Sequence, residues 1–229
     1  MPSRYIDFIG FRDPPVDFLG SLSSKTRKHI RRTQRSYEEI GGACTLRVAQ
    51  SAEEALGMLQ QLAELHQARW KGRGHAGAFS SQRFTGFHEM MIRREFDRTL
   101  LFRVQAGAEV VGVLYCFLFL GWVYFYQSGL SYTLDSSGSP GRLTLYLTIS
   151  HCLERPELKG FDFMAGDAEY KRSLTSAHRP LRWIVVRRPT ARSLLFRGLR
   201  SLKRAGVQIL NRTRQNNRPP DGTQPPTEG

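Results

Sequence analysis

Residues 99–130, TLLFRVQAGAEVVGVLYCFLFLGWVYFYQSGL, contain three runs rich in valine, leucine and aromatic residues. Gly107 and Gly121 lie at the two points where one run gives way to the next. Buried strands favour β-branched and aromatic residues, and glycine is common in the turns that join them. The stretch therefore predicts three consecutive strands of an antiparallel meander.

The central part of this stretch, residues 110–126, carries no charge, and a hydropathy window alone would suggest a membrane span. A bilayer helix needs about 20 apolar residues. These 17 are rich in valine and aromatic side chains and contain Gly121. Two buried strands joined at a glycine turn are the better interpretation.

Helices and further strands are predicted on both sides of the meander. Ser23 or Ser24 can cap a basic helix whose narrow stripe is Thr26, Ile30, Thr33, Tyr37 and Ile40 and which stops at Gly41. The other predicted helices are 51–71, 81–98, 142–154, 167–174 and an amphipathic helix over 190–210. The other predicted strands are 44–49, 161–166 and 181–188.

Positive charge is concentrated in two segments of this 229-residue chain, whose net charge is +14. Residues 24–35 contain six Lys or Arg and no acid, and residues 187–229 contain ten against two acids. A small anionic ligand, an acidic envelope surface and loosely held nucleic acid all fit this pattern, and composition does not separate them.

The three cysteines, Cys44, Cys116 and Cys152, are an odd number without C-x-x-C spacing. They suggest neither a disulfide framework nor a thiolate zinc site, and we expect no metal. Asp7, Arg12 and Asp13 interrupt the region where a signal peptide would need an apolar run. We therefore expect a cytoplasmic protein.

The order of strands, glycine-bearing loop and helices resembles the core of the GNAT acyltransferase superfamily. Five segments carry a closer resemblance: SSKTRKHIRRTQRSYEEIGG at 23–42, LHQARW at 65–70, FHEMM at 87–91, SPG at 139–141 and FDFMAGDAEYKR at 161–172. In these segments the chain is most similar to the CelD-type (cellulose-biosynthesis-protein-like) branch of the superfamily, which is related to Fem-type transferases.

The resemblance implies an α/β fold of mixed α+β type, in which helices flank a mixed, mostly antiparallel sheet. To this we add a basic N-terminal helix and a C-terminal amphipathic helix. Residues 1–43 are interpreted as a strand and basic helix, the remnant of a first GNAT-like half, and residues 44–189 as the acyltransferase domain. Residues 190–211 are the amphipathic helix and 212–229 a disordered tail.

The resemblance also implies an N-acyltransferase that moves an acyl group from acyl-CoA, expected to be acetyl-CoA, to an amine. We expect the acceptor to be a small molecule or glycan of envelope or polysaccharide metabolism, and no specific binding to DNA. A helix start attracts phosphate through its free N–H groups and partial positive charge. The coenzyme-binding candidates are Gln127, Ser128, Gly129 and Leu130 on the strand, and Ser139, Gly141 and Arg142 at the helix start.

Three residues are candidates for proton transfer. Tyr170 is the expected proton donor to the leaving thiolate, and core packing is its alternative. Asp162 and Asp167 are the candidate bases or amine-holding groups, Asp162 because its aromatic neighbours would partly desolvate it. Asp167 follows Gly166, so it could instead cap the helix beginning at Ala168.

Three further residues are candidates for substrate contact. His66 and Trp70 lie one turn apart on the buried face of their helix, which suits an acceptor pocket or plain core packing. Lys171 could meet a phosphate or an acidic acceptor, or be a solvated charge beside Arg172.

The basic helix carries Arg27, Lys28, Arg31 and Arg32, which could attract CoA or an acidic polysaccharide or be a solvated face. Two rival functions remain. In a Fem-type transferase, the helix would bind the RNA backbone of an aminoacyl-tRNA donor. A catalytically silent module would instead sit on the inner membrane face through residues 190–210, where Leu195, Leu199, Leu202 and Ile209 oppose arginines.

Overall fold

The computed structural model describes residues 1–135, 138–182 and 184. The strands within this part are β1 Pro2–Asp7, β2 Cys44–Val48, β3 Thr99–Ala106, β4 Glu109–Phe119, β5 Trp122–Leu130, β6 Gly160–Ala165 and β7 His178–Pro180. The helices are α1 Ile9–Arg12, α2 Phe18–Ser21, α3 Ser24–Gly41, α4 Ala52–Lys71, α5 Gln82–Arg94, α6 Pro140–Leu153 and α7 Glu169–Leu174. Single 3₁₀ turns lie at Ala78–Ser80 and Phe96–Arg98.

The described strands form one sheet in the order β2-β3-β4-β5-β6-β1-β7. The pairs from β2 to β5 are antiparallel, which confirms the meander predicted over residues 99–130. The hairpin between β4 and β5 turns at Leu120 and Gly121, whose φ angles of 52° and 82° are both positive. Two such residues make the turn type that matches the twist of a hairpin.

The remaining strands join the meander through a single parallel pair, β5 with β6. β1 then pairs antiparallel with β6 on one side and with β7 on the other. The strand nearest the N-terminus thus lies between two strands that follow residue 159. The sheet is mixed and mostly antiparallel, as expected.

Alternate residues of the central strands fill cores on the two faces of the sheet. Phe102, Leu114 and Cys116 pack in one buried cluster with side chains of α3 and α6. Leu101, Val113 and Tyr115 pack in the other with side chains of α4 and with Ile92 of α5. This is the two-residue period of a strand buried on both faces.

Two glycines allow helices to approach the strands closely. A Cβ added at Gly112 of β4 would lie 2.5 Å from the Thr144 hydroxyl of α6, and one at Gly129 of β5 would lie 2.4 Å from the Leu62 carbonyl oxygen of α4. A residue with a Cβ therefore does not fit at either position unless the neighbouring helix moves. Helices α4 and α6 are therefore held against opposite faces of the sheet at the same end of β4 and β5.

The N-terminal elements belong to the same unit as the sheet, which comprises Met1–Arg182. Thr26, Ile30, Thr33 and Tyr37 of α3 are buried as the stripe predicts, whereas Ile40, in the last turn of the helix, is exposed. The helix predicted over 81–98 ends at Arg94, since Glu95 leaves the helical conformation and Phe96–Arg98 turn the chain into β3.

Several predicted elements lie outside the described residues. These are the amphipathic helix at 190–210, the tail at 212–229 and most of the strand at 181–188. A short strand that the sequence did not indicate, β7, precedes that last segment. In the part of the chain that the structure describes, no helix is both long and apolar enough to cross a bilayer.

Candidate functional site

The parallel pairing of β5 with β6 is short, and its end creates a gap in the sheet. The paired residues are Trp122 with Gly160, Val123 with Phe161 and Tyr124 with Asp162. Beyond Tyr124, β5 continues to Leu130 and, among the described strands, pairs only with β4, while β6 ends at Ala165. Within residues 1–135, 138–182 and 184, one edge of β5 therefore has no strand neighbour over Phe125–Leu130.

A cavity of about 340 Å³ lies at this gap. Pockets of this size can bury a small-molecule ligand. Its walls come from β5, from the segment that leads into α6, and from α4 and α7. The lining residues are Arg69, Leu114, Phe125, Ser128, Leu130, Tyr132, Gly138, Ser139, Pro140, Gly141, Arg142, Leu145 and Tyr170.

The cavity ends at the start of α6, whose first residue is Pro140. Proline supplies no N–H, so the donors at this helix start come from Gly141, Arg142 and the residues after them. The Ser139 N–H donates to the Thr33 hydroxyl of α3 at 3.3 Å. Ser139 Oγ lies 2.6 Å from His29 Nε2, also on α3. Helix α3 thus holds Ser139, the residue of the cavity wall that immediately precedes α6.

Arg142, in the first turn of α6, has one ion-pair partner among the described residues, Glu169. Its side chain is 25% exposed and approaches Glu169 at 3.6 Å, but that carboxylate is 81% exposed. Such an exposed ion pair contributes little. The buried Arg142 Nε has no hydrogen-bond partner in the described structure. A guanidinium in this state is suited to binding phosphate with two parallel hydrogen bonds.

The four coenzyme-binding candidates on β5 have different environments. Ser128 and Leu130 line the cavity. The Ser128 N–H donates to Gln127 Oε1 at 3.1 Å, so the Gln127 side chain covers an amide at the open edge of the strand. Gly129 instead packs under α4. Next to Gln127, the pairing with β4 is irregular, and Tyr126 is the additional residue of a bulge.

Tyr170 lies in the wall of the cavity opposite β5, on α7. Burial raises the pKa of the Tyr170 phenol above its ordinary value of 10.0, and the nearby charge of Arg69 opposes this only in part. The phenol therefore keeps its proton at neutral pH. A protonated phenol in this position can donate a proton to a ligand in the cavity.

Asp162 lies away from the cavity, in a closed network on the β1 side of β6. It accepts hydrogen bonds from Ser3 Oγ at 2.5 Å, from the Met164 N–H at 2.6 Å and from the Arg179 guanidinium. The carboxylate is buried, as its aromatic neighbours suggest, but it is also paired. These hydrogen bonds link β6 to Ser3 of β1 and to Arg179 of β7.

Asp167 and Lys171 hold the turn between β6 and α7. Asp167 pairs with Arg4 at 2.5 Å and with Arg172 at 3.1 Å, and its side chain does not cap α7, whose N-cap is Ala168. Lys171 is buried, so its interpretation as a solvated charge is wrong. Its ammonium donates to the carbonyls of Phe163, Met164 and Ala165 at 2.8, 3.3 and 2.8 Å. Burial lowers the pKa of this ammonium.

His66 and Trp70 belong to an aromatic group beside the cavity and do not line it. Their rings lie 5.8 Å apart, and His66 contacts the Phe79 ring edge-to-face at 5.2 Å. His66 is buried, which lowers its pKa and keeps the imidazole neutral. Trp70 is only partly buried, contacts the ring of the exposed His75 at 5.6 Å, and directly follows Arg69 in the chain.

The site includes residues that the sequence analysis did not select. Arg69 lies within the quoted LHQARW segment and stacks its guanidinium on the Tyr132 ring at 5.3 Å. His29, Thr33 and Tyr37 follow one another at intervals of four along α3, a spacing that places them on one side of the helix. A Cβ at Gly138 would lie 2.8 Å from the buried Tyr37 hydroxyl. This four-residue spacing is the sequence feature from which the grouping of His29, Thr33 and Tyr37 could have been predicted.

No carboxylate lines the cavity in the described part of the chain. Among the same residues, no group of three or more His, Cys, Asp or Glu side chains is arranged to hold a metal ion. The side chains in the cavity lining that can donate hydrogen bonds are those of Arg69, Ser128, Tyr132, Ser139, Arg142 and Tyr170.

The family model described as "Acetyltransferase (GNAT) domain" matches residues 24–172. No curated protein sequence matches the chain. A crystal structure of FemX aligns with a TM-score of 0.51 and 11% identity over 73% of this chain and 54% of that one.

A second solved structure is the C-terminal domain (DUF2156) of a putative lysylphosphatidylglycerol synthetase from Agrobacterium fabrum. It aligns with a TM-score of 0.43 and 11% identity over 71% of this chain and 45% of that one. The chain thus spans about half the length of the structures it matches. The FemX likeness shows a shared fold.

Proposed function

The chain belongs to the acetyltransferase (GNAT) domain family and is an acyltransferase. From this premise we propose that it transfers an acyl group from acyl-CoA to an amine, and we take acetyl-CoA as the first donor to test. The observation that carries the proposal is the end of the β5–β6 ladder at Tyr124, which opens a cavity leading to the start of α6. The free edge of β5 can pair with the amides of a pantetheine arm, and the helix start with Arg142 can hold the diphosphate.

The proposed reaction needs a polarised carbonyl and a proton for the leaving thiolate. The Ser128 N–H is a donor for the carbonyl once the ligand oxygen replaces that of Gln127. The amine nitrogen forms a bond to the carbonyl carbon, the C–S bond breaks, and Tyr170 protonates the sulfur. The proton that the amine loses returns to Tyr170 through water, so the products are an amide and free CoA thiol.

We place the acceptor among the amines of envelope or polysaccharide metabolism, such as an amino sugar, an amino acid or a peptidoglycan-like amine, in the cytoplasm. The acceptor class rests on the resemblance to CelD-type proteins. An aminoacyl-tRNA donor is the alternative, favoured by the exposed basic residues of α3. Membrane contact through residues 190–210 stays a prediction.

The test measures acetyl-CoA binding by isothermal titration and thiol release in the presence of amino sugars and amino acids. Tyr170→Phe should lower turnover by roughly 100-fold or more, the usual contribution of general acid catalysis, with acetyl-CoA affinity near that of the wild type. Tyr146→Phe is the matched control, since Tyr146 packs on Phe18 outside the cavity. Wild-type turnover in Tyr170→Phe would overturn the role of the phenol.

The same experiment tests the donor. If the chain binds aminoacyl-tRNA and no acyl-CoA, the acyl donor is aminoacyl-tRNA and the proposed acyl-CoA donor is wrong. Binding of acetyl-CoA with thiol release only when an amine is present is the expected result.

A further inference from the structure

A second cavity, of about 600 Å³, lies between the N-terminal half of α3, the start of α6 and α7. Six of its lining residues are basic and one is acidic. The lining residues are Ser23, Lys25, Thr26, Lys28, His29, Arg32, Arg142, Glu169, Arg172 and Ser173. A concave surface with this charge attracts anions strongly, because its walls focus the field.

The positive charge in this cavity is largely unbalanced. Lys25, Lys28 and Arg32 are exposed and have no ion-pair partner among the described residues. They lie three and four residues apart, on one side of α3, where helix geometry brings their heads together. Burial lowers the pKa of His29, and the charges of Arg142 and Arg32 lower it further. That second effect is what an uncompensated positive potential produces.

The two cavities are neighbours at the start of α6. Arg142 lines both. His29, in the second cavity, lies 2.6 Å from Ser139 Oγ in the first. A ligand whose diphosphate occupies the helix start therefore has its thioester end toward β5 and Tyr170. Its other end continues toward Lys25, Lys28 and Arg32.

We infer that the second cavity binds the 3′-phosphate of the donor's ribonucleotide end, through Lys28 and Arg32 of α3 with Lys25 beside them. The inference rests on the proposed function, since acyl-CoA carries a phosphomonoester on its ribose. Such a group is close to a dianion at neutral pH and accepts several charge-assisted hydrogen bonds. Three cations without partners match it better than they match a neutral sugar or base.

The inference gives α3 a function beyond packing. Its buried stripe of Thr26, Ile30, Thr33 and Tyr37 fixes the helix against α6 and the sheet. The exposed side of the same helix then holds Lys25, Lys28 and Arg32 in a fixed position relative to the start of α6. Donor selectivity would thus reside in a helix that precedes the acyltransferase sheet.

The experiment compares acetyl-CoA with 3′-dephospho-acetyl-CoA by isothermal titration on the full chain. Wild type should bind the dephospho form about tenfold more weakly or worse, a difference of ~1.4 kcal/mol or more. Arg32→Ala and Lys28→Ala should each weaken acetyl-CoA by about fivefold to tenfold and leave the dephospho form unchanged, because the lost partner is the 3′-phosphate. Arg35→Ala, three residues further along the exposed side of α3, should change neither.

Arg142→Ala should weaken both ligands, because Arg142 lines both cavities. Equal affinity of wild type for the two ligands, or an equal effect of Arg32→Ala on both, would overturn the inference while leaving acyl-CoA transfer intact. Adenosine 3′,5′-bisphosphate is the second probe. If it binds to wild type but not to Arg32→Ala while acetyl-CoA is not turned over, the phosphate site stands and the proposed reaction fails. If neither ligand binds, both are wrong.

Discussion

Replacing Lys171 by methionine tests whether this buried lysine holds the turn below Tyr170 or is available to a ligand. Methionine keeps an unbranched apolar side chain that reaches as far as Cε of lysine, with sulfur in place of Cδ, and it lacks the ammonium. In the wild type that ammonium donates to three carbonyls, of Phe163, Met164 and Ala165, at 2.8, 3.3 and 2.8 Å. Lys171→Met leaves all three without this donor.

The size of the effect follows from these contacts. A hydrogen bond to a charged group contributes roughly 1.5–3 kcal/mol, and three that share one donor do not add. Desolvation of the ammonium, seen in its lowered pKa, offsets part of the gain. We expect the free energy of unfolding to fall by about 3 kcal/mol, which for a chain of this length lowers Tm by roughly 6–12 °C.

Urea unfolding followed by circular dichroism measures the change. Lys159→Met is the matched control, because Lys159 is exposed, and its free energy of unfolding should stay within about 0.5 kcal/mol of wild type. If Lys171→Met unfolds at the wild-type urea concentration but loses affinity for the acyl donor, the ammonium serves the ligand and the structural argument is refuted.

Three further predictions concern packing, the donor amide and pH. Gly129→Ala should lower the free energy of unfolding by about 2–3 kcal/mol, since its Cβ would lie 2.4 Å from a carbonyl oxygen of α4; Gly57→Ala, on α4 with nothing within 4 Å, should raise it by about 0.5 kcal/mol, and equal urea midpoints would contradict this. Gln127→Ala should tighten acetyl-CoA binding about twofold to fivefold in titration, because it uncovers the Ser128 N–H; weaker binding would instead make Gln127 a ligand contact. Burial lowers the pKa of His88 below 6.5, so the unfolded state binds a proton that the folded state does not, and stability falls as pH falls below about 6.5. His88→Gln should reduce that slope by up to about 1.4 kcal/mol per pH unit in urea titrations at pH 5 to 7, and an unchanged slope would contradict this.

The parts of the fold that the sequence predicted are those with strong local signals. Residues 99–130 alternate between two buried faces and turn at glycines, and the structure confirms three strands there. Pro140 and Gly141 mark the start of α6, where proline is favoured at the first helical position. The buried stripe of α3 follows from its spacing. In each case the determinant lies within a few residues of the element.

The partners of Asp162 could not be predicted in the same way. Ser3 is 159 residues away along the chain, and Arg179 approaches only because β1 lies between β6 and β7. Desolvation was foreseeable from the neighbouring phenylalanines, but the paired state depends on strand order. Lys171 illustrates the same limit, since a lysine beside an arginine is usually solvated and only the turn after β6 buries it.

The candidate site was foreseeable in outline. The residues at the helix start and Tyr170 line one cavity, as the resemblance implies. The second cavity was not foreseeable, because it needs α3 to lie against α6, which no local pattern specifies. Sequence showed that α3 is basic, and packing determines which of its cations face the start of α6.

The position of β1 has a consequence for biosynthesis. This strand is synthesised before the other described strands, yet its partners in the sheet are β6 and β7, with Ser3 opposite Ala165 and Pro2 opposite Pro180. The meander and its helices can assemble while β1 still waits, because their contacts are closer in sequence. The β6-β1-β7 side of the sheet is therefore completed only when translation has passed residue 180.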